Sequence, residues 1–391
     1  MRTRALVVSV LTALVAFPVV ASTAAERKIV VAVEAPMSGV GRVDGLDQLR
    51  GVELAARQIN AAGGVLGRRV LVIRADDRGE PGLALPTFRR VARARAGAVI
   101  GPYNSSVAVI NLPFYVRAGI VPVQMASTDA TSGIGVNVQP KTRQIAPVEA
   151  SFIRRQWAPD SVAILAGASS FLAGQADLLE AALRKDGVVV TRYPVEPGRD
   201  DYGADVARAL STGPQVVYVS TKVAEGAKIA AALQASGSPA KCFMGFANQD
   251  PTFVAQAGVE VSRHCVFSGV PLPQATPTAR DYVRDYRAAF RMEPAVWGAF
   301  TYDSARILFR AMREAGTTDY GPVLARLRST RGFRGATGTI SINRRTGDRT
   351  RVAVRVLSVN GRGAFVIAPG SERSSARPSG ESSTTGGVPL R

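Results

Sequence analysis

A single histidine, His264, and two cysteines, Cys242 and Cys265, stand in a chain of 391 residues. That scarcity excludes metal centres built on several imidazoles or thiolates, and any scaffold held by many disulfides. Imidazole acid–base chemistry would have to run through His264, which sits beside Cys265 at the start of a short apolar run and reads as structural. Lysine is scarce as well, six residues against 43 arginines in a net charge of +19. In an Ala- and Gly-rich chain that skew is as consistent with base composition as with polyanion binding, so the charge alone does not argue for nucleic acid. Nucleophile motifs are missing too. There is no Gly-x-Ser-x-Gly elbow, and Ser238-Pro-Ala-Lys241 is a lone Ser-x-x-Lys match in a loop. Glycines 39, 41 and 45 miss the dinucleotide spacing, and Asp76 is too distant to complete that fingerprint, so no cofactor is expected. The acid pairs Asp76-Asp77 and Asp200-Asp201 read as turn and cap residues. Nothing here demands an enzyme.

What is present starts with the ends. Arg2 and Arg4 precede an apolar run from Ala5 to Val20, then small residues and a charged stretch. This is the tripartite export pattern, so residues 1–25 are expected to be a signal peptide and the mature chain periplasmic, with a charge of +17. The run is short for a membrane anchor, which needs roughly 20 apolar residues. Residues 370–391 are rich in Ser, Thr, Gly and Pro and are expected to be a disordered tail. In an oxidising compartment, Cys242 and Cys265, each opening a short apolar run, are candidates for a disulfide between neighbouring strands, two buried thiols being the alternative.

Between the ends, short apolar runs alternate with helix-like stretches. Strands are predicted at 29–33, 70–73, 98–100 and 120–123, with helices over 47–62, 83–96 and 106–118 between and after them. A second series runs through strands at 161–165, 188–190, 216–219 and the two Cys-led segments, with helices over 174–185, 202–210 and 224–236. Helices over 278–290 and 302–315 follow, and then strands at 339–342, 351–357 and 364–367. The pattern predicts an α/β fold of two lobes with parallel sheets. Such sheets hold ligands beyond the carboxyl ends of their strands. Two loops there are rich in hydroxyls. One is Gly101-Pro-Tyr-Asn-Ser105-Ser106, and the other is Gln124-Met-Ala126-Ser127-Thr128-Asp129. Hydroxyls and backbone N–H groups at a helix start suit a carboxylate, although ordinary capping needs the same residues.

Several stretches together resemble a known family. They are Glu34-Ala-Pro-Met-Ser-Gly39, Arg50-Gly-Val-Glu-Leu-Ala55, Ile59-Asn-Ala-Ala-Gly-Gly64, Leu66-Gly-Arg68, Asp76-Asp-Arg-Gly-Glu-Pro81, Ile100-Gly-Pro102 and Ala118-Gly-Ile-Val-Pro-Val123. Gly198–Tyr202, Phe300–Ala305, Gly335–Thr339 and Gly347–Arg349 continue the likeness, which covers residues 28–368. The chain is similar to the type I periplasmic binding proteins of branched-chain amino-acid ABC uptake systems. The resemblance implies two Rossmann-like lobes joined by a three-crossing hinge, with crossings expected near 146, 272 and 350. Lobe I is then 26–146 plus 273–350, and lobe II 147–272 plus 351–369. It implies a monomer without cofactor or nucleic acid, which closes on a small ligand and delivers it to a membrane permease. A ligand-sensing or accessory protein of the same fold is the alternative.

Carried over residue by residue, the resemblance makes Ser105 and Ser106 carboxylate-binding hydroxyls. Ala126, Ser127 and Thr128 form the loop that gives a backbone carbonyl to an α-ammonium group and a hydroxyl to the carboxylate. Phe171 walls the second lobe where the family often has Tyr, and Asp44 takes an aromatic position. Lys222 lies at the second-lobe mouth, where an aromatic is common, and would favour an extra acidic group on the ligand. The family's ammonium-binding acid aligns with Ala247, a departure that Asp250 or Asp44 would have to repair. The expected ligand is therefore an amino acid or organic acid with a carboxylate, and not leucine.

Overall fold

The computed structural model describes residues 28–371, so the expected leader (1–25) and all but the first two residues of the expected tail (370–391) lie outside the described residues. Ser371 is buried and its hydroxyl accepts the Val356 amide, so the tail expectation does not hold for that residue. The first lobe opens with β1 (Ile29–Ala35), α1 (Arg42–Ala61), β2 (Val70–Asp76), α2 (Ala84–Arg93), β3 (Ala98–Ile100), α3 (Ser105–Arg117), β4 (Val121–Gln124) and β5 (Val136–Asn137). These strands form one parallel sheet in the order β2-β1-β3-β4-β5. Its central strands are buried on both faces, which is why β1, β3 and β4 read as unbroken apolar runs.

The chain then enters the second lobe through α4 (Thr142–Trp157), β6 (Ser161–Ala166), α5 (Ser170–Lys185), β7 (Val189–Pro194), α6 (Gly203–Leu210) and β8 (Val216–Ser220). It continues through α7 (Val223–Ala235), β9 (Lys241–Met244), α8 (Pro251–Ala257), α9 (Val259–Arg263) and β10 (Cys265–Gly269). Three helices, α10 (Arg280–Phe290), α11 (Val296–Ala315) and α12 (Tyr320–Arg328), and a hairpin of β11 (Phe333–Gly335) and β12 (Gly338–Ile340) return to the first lobe. Finally β13 (Arg355–Val359) and β14 (Phe365–Ile367) add antiparallel to the second sheet, whose order is β14-β13-β10-β9-β8-β6-β7. The α/β two-lobe reading of the sequence matches this architecture. Cys242 and Cys265 face each other on adjacent parallel strands, with Cα atoms 4.6 Å apart, and are disulfide-bonded.

The short helices α8, α9 and α12 have no counterpart in the sequence pattern, and two longer helices escaped it in whole or part. No helix is predicted between Val123 and Ser161, yet α4 fills that stretch. It carries Pro147 in its interior, a residue that usually ends helices, and the buried Glu149 interrupts its apolar stripe. Helix α11 starts at Val296 and not near Tyr302, because Val296 to Thr301 are buried on every side and show no amphipathic period. There α11 crosses α1 so closely that a Cβ on Gly51 would lie 2.1 Å from the Gly298 carbonyl oxygen. Only glycine permits that approach. Asp47 of α1 completes the junction, accepting hydrogen bonds from the Gly298 and Ala295 amides and the Tyr286 hydroxyl.

The crossings between lobes are bound by polar contacts. Asn137 pairs with Gly347 and Arg349 through the backbone, and Arg143 bridges Asp129 to Asp348. At the centre lies Lys141, fully buried. Its ammonium donates to Gln124 Oε1 (3.2 Å), the Ala126 carbonyl (2.9 Å), the Thr128 carbonyl (3.0 Å) and Thr131 Oγ1 (2.7 Å). Asp348 Oδ1 lies 3.8 Å away. Burial brings the Lys141 ammonium down to about 8, with Asp348 and Asp129 pulling the other way. Replacing Lys141 by Met takes a charged donor from two loop carbonyls, Gln124 and Thr131 and a cation from beside Asp348, so Lys141→Met should cost about 3 kcal/mol in chemical denaturation. An unchanged unfolding midpoint would contradict this role.

Each lobe also buries an acid. Glu34, at the end of β1, meets Asn111 Nδ2 (2.5 Å) and the Tyr115 hydroxyl (2.6 Å). Burial raises it to about 8, against the opposing pull of Tyr115. Glu149 meets Gln175, Tyr218 and Ser268 and is raised to about 7, again chiefly by burial. A carboxyl whose folded value lies above its ordinary 4.5 favours folding below that value, and this contribution is lost as pH rises to about 8. Glu34→Gln should therefore lose less thermal stability than the parent between about pH 5 and pH 9. Parallel melting curves across that range would exclude the effect.

Candidate functional site

The cleft is built where the strand ends of the two sheets face each other. On the first-lobe side, β3 ends in Gly101, whose φ of +116° and close approach to the Glu34 carbonyl admit only glycine, and the turn leads into α3. Ser105 is buried in the first turn of α3, and Ser106 follows it, half-buried. Ser105 Oγ accepts the Thr128 amide at 3.2 Å, so the two hydroxyl loops meet. Ser127 Oγ accepts from Gln139 Nε2 (3.0 Å), and Thr128 Oγ1 accepts from the Ala130 amide (3.4 Å). All three hydroxyls act as acceptors towards the protein, which leaves their O–H groups to donate. With the free amides of the first turn of α3, this is a donor-rich nest for an anion.

Ala126 is different. Its carbonyl already accepts from Lys141 Nζ and from Asn137 Nδ2, both at 2.9 Å. A carbonyl oxygen has two lone pairs, so none remains for a ligand's ammonium. The carbonyl role that the resemblance implies for Ala126 is thus filled from inside the protein.

Asp44, in the first turn of α1, accepts from the Tyr103 hydroxyl at 3.2 Å. It is part-exposed but flanked by both lobes. Burial first, and then the charges of Asp250 and Asp47, push its carboxyl well above the usual carboxylate range, against the pull of Tyr103. Asp250, from the second lobe, caps α8, with Oδ1 taking the Thr252 amide (2.7 Å) and hydroxyl (2.8 Å). Asp44 and Asp250 therefore come within electrostatic reach across the cleft, while Lys222 is an exposed cap of α7 with no side-chain bond to the described residues.

A chain of aromatic rings spans the opening. Tyr103 packs on Trp297 at 5.7 Å between centroids, Trp297 on Phe246 at 5.8 Å, and Phe246 on Phe171 at 6.5 Å. Trp297 begins α11 in the first lobe, whereas Phe171 and Phe246 belong to the second. Ala247 follows Phe246, and the buried Thr221 Oγ1 at the end of β8 has no protein partner among the described residues. Tyr103, Trp297, Phe246 and Lys141 were not singled out from the sequence. Trp297 is one of two tryptophans and Lys141 one of six lysines, so rarity was the available signal. His264 is an exposed cap of α9, remote in sequence and structure from these loops. No group of three or more His, Cys, Asp or Glu among the described residues is placed to hold a metal ion.

Known proteins of similar sequence and shape share the fold. A Leu/Ile/Val-binding protein homologue of Brucella melitensis is 28% identical over 337 residues, covering 84% of this chain and 90% of its own. An amino acid binding protein of Pseudomonas aeruginosa is 27% identical over 311 residues, covering 76% and 82%. Among solved structures, the leucine binding protein LivK of Thermotoga maritima superposes with a TM-score of 0.80 at 24% identity, covering 87% of this chain and 97% of that one. A solute binding protein of an ABC transporter from Rhodopseudomonas palustris, in complex with 3,4-dihydroxybenzoic acid, gives 0.75 at 17% identity, covering 86% and 95%. The family profile described as periplasmic binding protein matches residues 28–364, and the chain belongs to that family.

Proposed function

We propose that the chain is an extracytoplasmic solute-binding protein of an ABC uptake system, without catalytic activity, that closes on a small carboxylate lacking an α-ammonium group. The observation that carries this reading is the filled Ala126 carbonyl, reinforced by Ala247 where the family places an acid. A buried ammonium needs an acceptor or an anion, and both of the family's partners are unavailable. Asp44, held near its neutral form and bonded to Tyr103, serves better as a donor to a ligand oxygen than as a counter-ion.

The ligand's carboxylate sits on Ser105, Ser106, Ser127 and Thr128 in the first lobe. Its body lies against Phe171 and the rings of Tyr103, Trp297 and Phe246, which favours an aromatic acid over an aliphatic one. Lys222 and Asp250 come from the second lobe and meet polar groups at the mouth once the lobes close. The dihydroxybenzoate complex of the Rhodopseudomonas protein supports this ligand class, and the Leu/Ile/Val-binding relatives support transport as the purpose. A permease is then the partner that receives the ligand.

A thermal-shift screen with amino acids, aromatic acids and dicarboxylates should raise the melting temperature with acids, because a ligand that binds only the folded state stabilises it as RT ln(1 + [L]/Kd). In calorimetric titration with the acid that gives the largest shift, Ser105→Ala and Thr128→Ala should each weaken binding by about 1.5–3 kcal/mol, the worth of a hydrogen bond to a charged group. Tight binding of leucine with none of any organic acid would overturn the reading.

A further inference from the structure

Between Glu80 and Asp129 the chain runs for 48 residues without an Asp or Glu, and it carries five arginines there, Arg89, Arg90, Arg93, Arg95 and Arg117. This stretch is not scattered over the surface. It folds into α2, β3, α3 and β4, and the two helices lie together on one side of the first sheet, closed over Ala32, Ala75, Val91, Val99 and Tyr115. Phe88 of α2 touches Phe114 of α3 at 5.5 Å, and the Arg117 guanidinium stacks on Phe114 at 5.4 Å. One whole layer of the lobe is therefore free of acidic side chains.

Exposed arginines without an ion pair to a described residue occur elsewhere too, Arg155 and Arg313 among them, so what marks this layer is the absence of acids beside its cations. In the second lobe Arg154, Arg184, Arg192, Arg199 and Arg208 are each ion-paired with an Asp or Glu. Arg89, Arg93, Arg95 and Arg117 are exposed and make no ion pair with any described residue. Base composition explains many arginines but not 48 consecutive residues without an acid. Two stripes at four-residue spacing run down the exposed side, Leu85–Arg89–Arg93 on α2 and Val109–Pro113–Arg117 on α3. The α2 stripe has two cations and the α3 stripe one, each with an exposed apolar residue, Leu85 at 36% and Val109 at 38%. Helices in such a layer run opposite to the strands, so Arg93, Arg95 and Arg117 gather at the end of the lobe away from the cleft.

We infer that the α2–α3 face docks on an anionic bilayer surface, with its arginines on lipid phosphates and Leu85 and Val109 seated at the headgroup level. Apolar residues within the cationic stripes favour a bilayer over a soluble polyanion, which would be held by charge alone. The docked face is the outer side of α2 and α3, on which Leu85 and Val109 lie toward the cleft end and Arg93, Arg95 and Arg117 toward the other. The choice of a bilayer rests on the function proposed above only in that a transporter's binding protein works beside a membrane. The docking itself needs no ligand.

The test is co-sedimentation of the purified protein with vesicles of phosphatidylcholine alone or mixed equally with phosphatidylglycerol. The parent should bind the mixed vesicles at least about tenfold better than the neutral ones, and should be released by molar salt. The variant Arg89→Glu, Arg93→Glu, Arg95→Glu, Arg117→Glu should lose that preference. The same four positions changed to Gln, with folding checked by circular dichroism, should lose most of it. Four exposed arginines elsewhere, Arg155, Arg280, Arg313 and Arg362, changed together to Glu should leave binding within about threefold. Equal loss in the two Glu sets, no preference for phosphatidylglycerol, or tighter binding to polyglutamate or a short DNA duplex than to the vesicles would each overturn the proposal. Ligand binding measured alongside separates this outcome from failure of the transport reading.

Discussion

The arrangement of the cleft depends on one buried cation. Taking an ammonium group out of water costs several kcal/mol, and Lys141 offsets that cost only by engaging four oxygens and standing near Asp348. Two of the four oxygens are carbonyls of the hydroxyl-rich loop after β4, and Asp348 belongs to the segment that leads from β12 back to the second sheet. The same contact therefore fixes the proposed binding loop and ties it to a segment more than 200 residues away in sequence. With Asn137, Gln139 and Arg143 around it, the loop is shaped before any ligand arrives, which lowers the ordering cost of binding.

That fixation has a chemical consequence. The loop turns the Ala126 and Thr128 carbonyls inward toward Lys141, while its hydroxyls accept from protein amides and keep their O–H groups to donate. A site of donors suits anions. Across the opening, Asp44 and Asp250 approach one another, and burial with mutual repulsion holds Asp44 toward the acid form. A ligand that brings acceptor oxygens relieves this crowding by taking hydrogen bonds. An ammonium ligand would have to ionise Asp44 beside another carboxylate.

How much of this the sequence revealed follows from range. Buried parallel strands are continuous apolar runs, so Ile29–Val33, Val70–Ile73 and Val216–Val219 declared themselves, and the loops after them followed from the general habit of α/β sheets. Ser105 and Thr128 were legible as members of two hydroxyl-rich loops. Their contact was not, because it joins residues far apart in sequence. Trp297 and Phe246 meet only when the lobes are assembled, and Lys141 reads as an ordinary surface lysine until its loop is folded around it. Helix α4 was hidden by Pro147 and by a buried glutamate on its packed face.

The central claim is that the cleft accepts a carboxylate and has no partner for an α-ammonium group. A matched pair of ligands tests it most directly: phenylalanine and 3-phenylpropanoate share ring, chain and carboxylate and differ in that one group. Side-by-side calorimetric titration should give the des-amino acid the tighter binding by at least about tenfold, or about 1.4 kcal/mol. Tighter binding of phenylalanine would contradict the account.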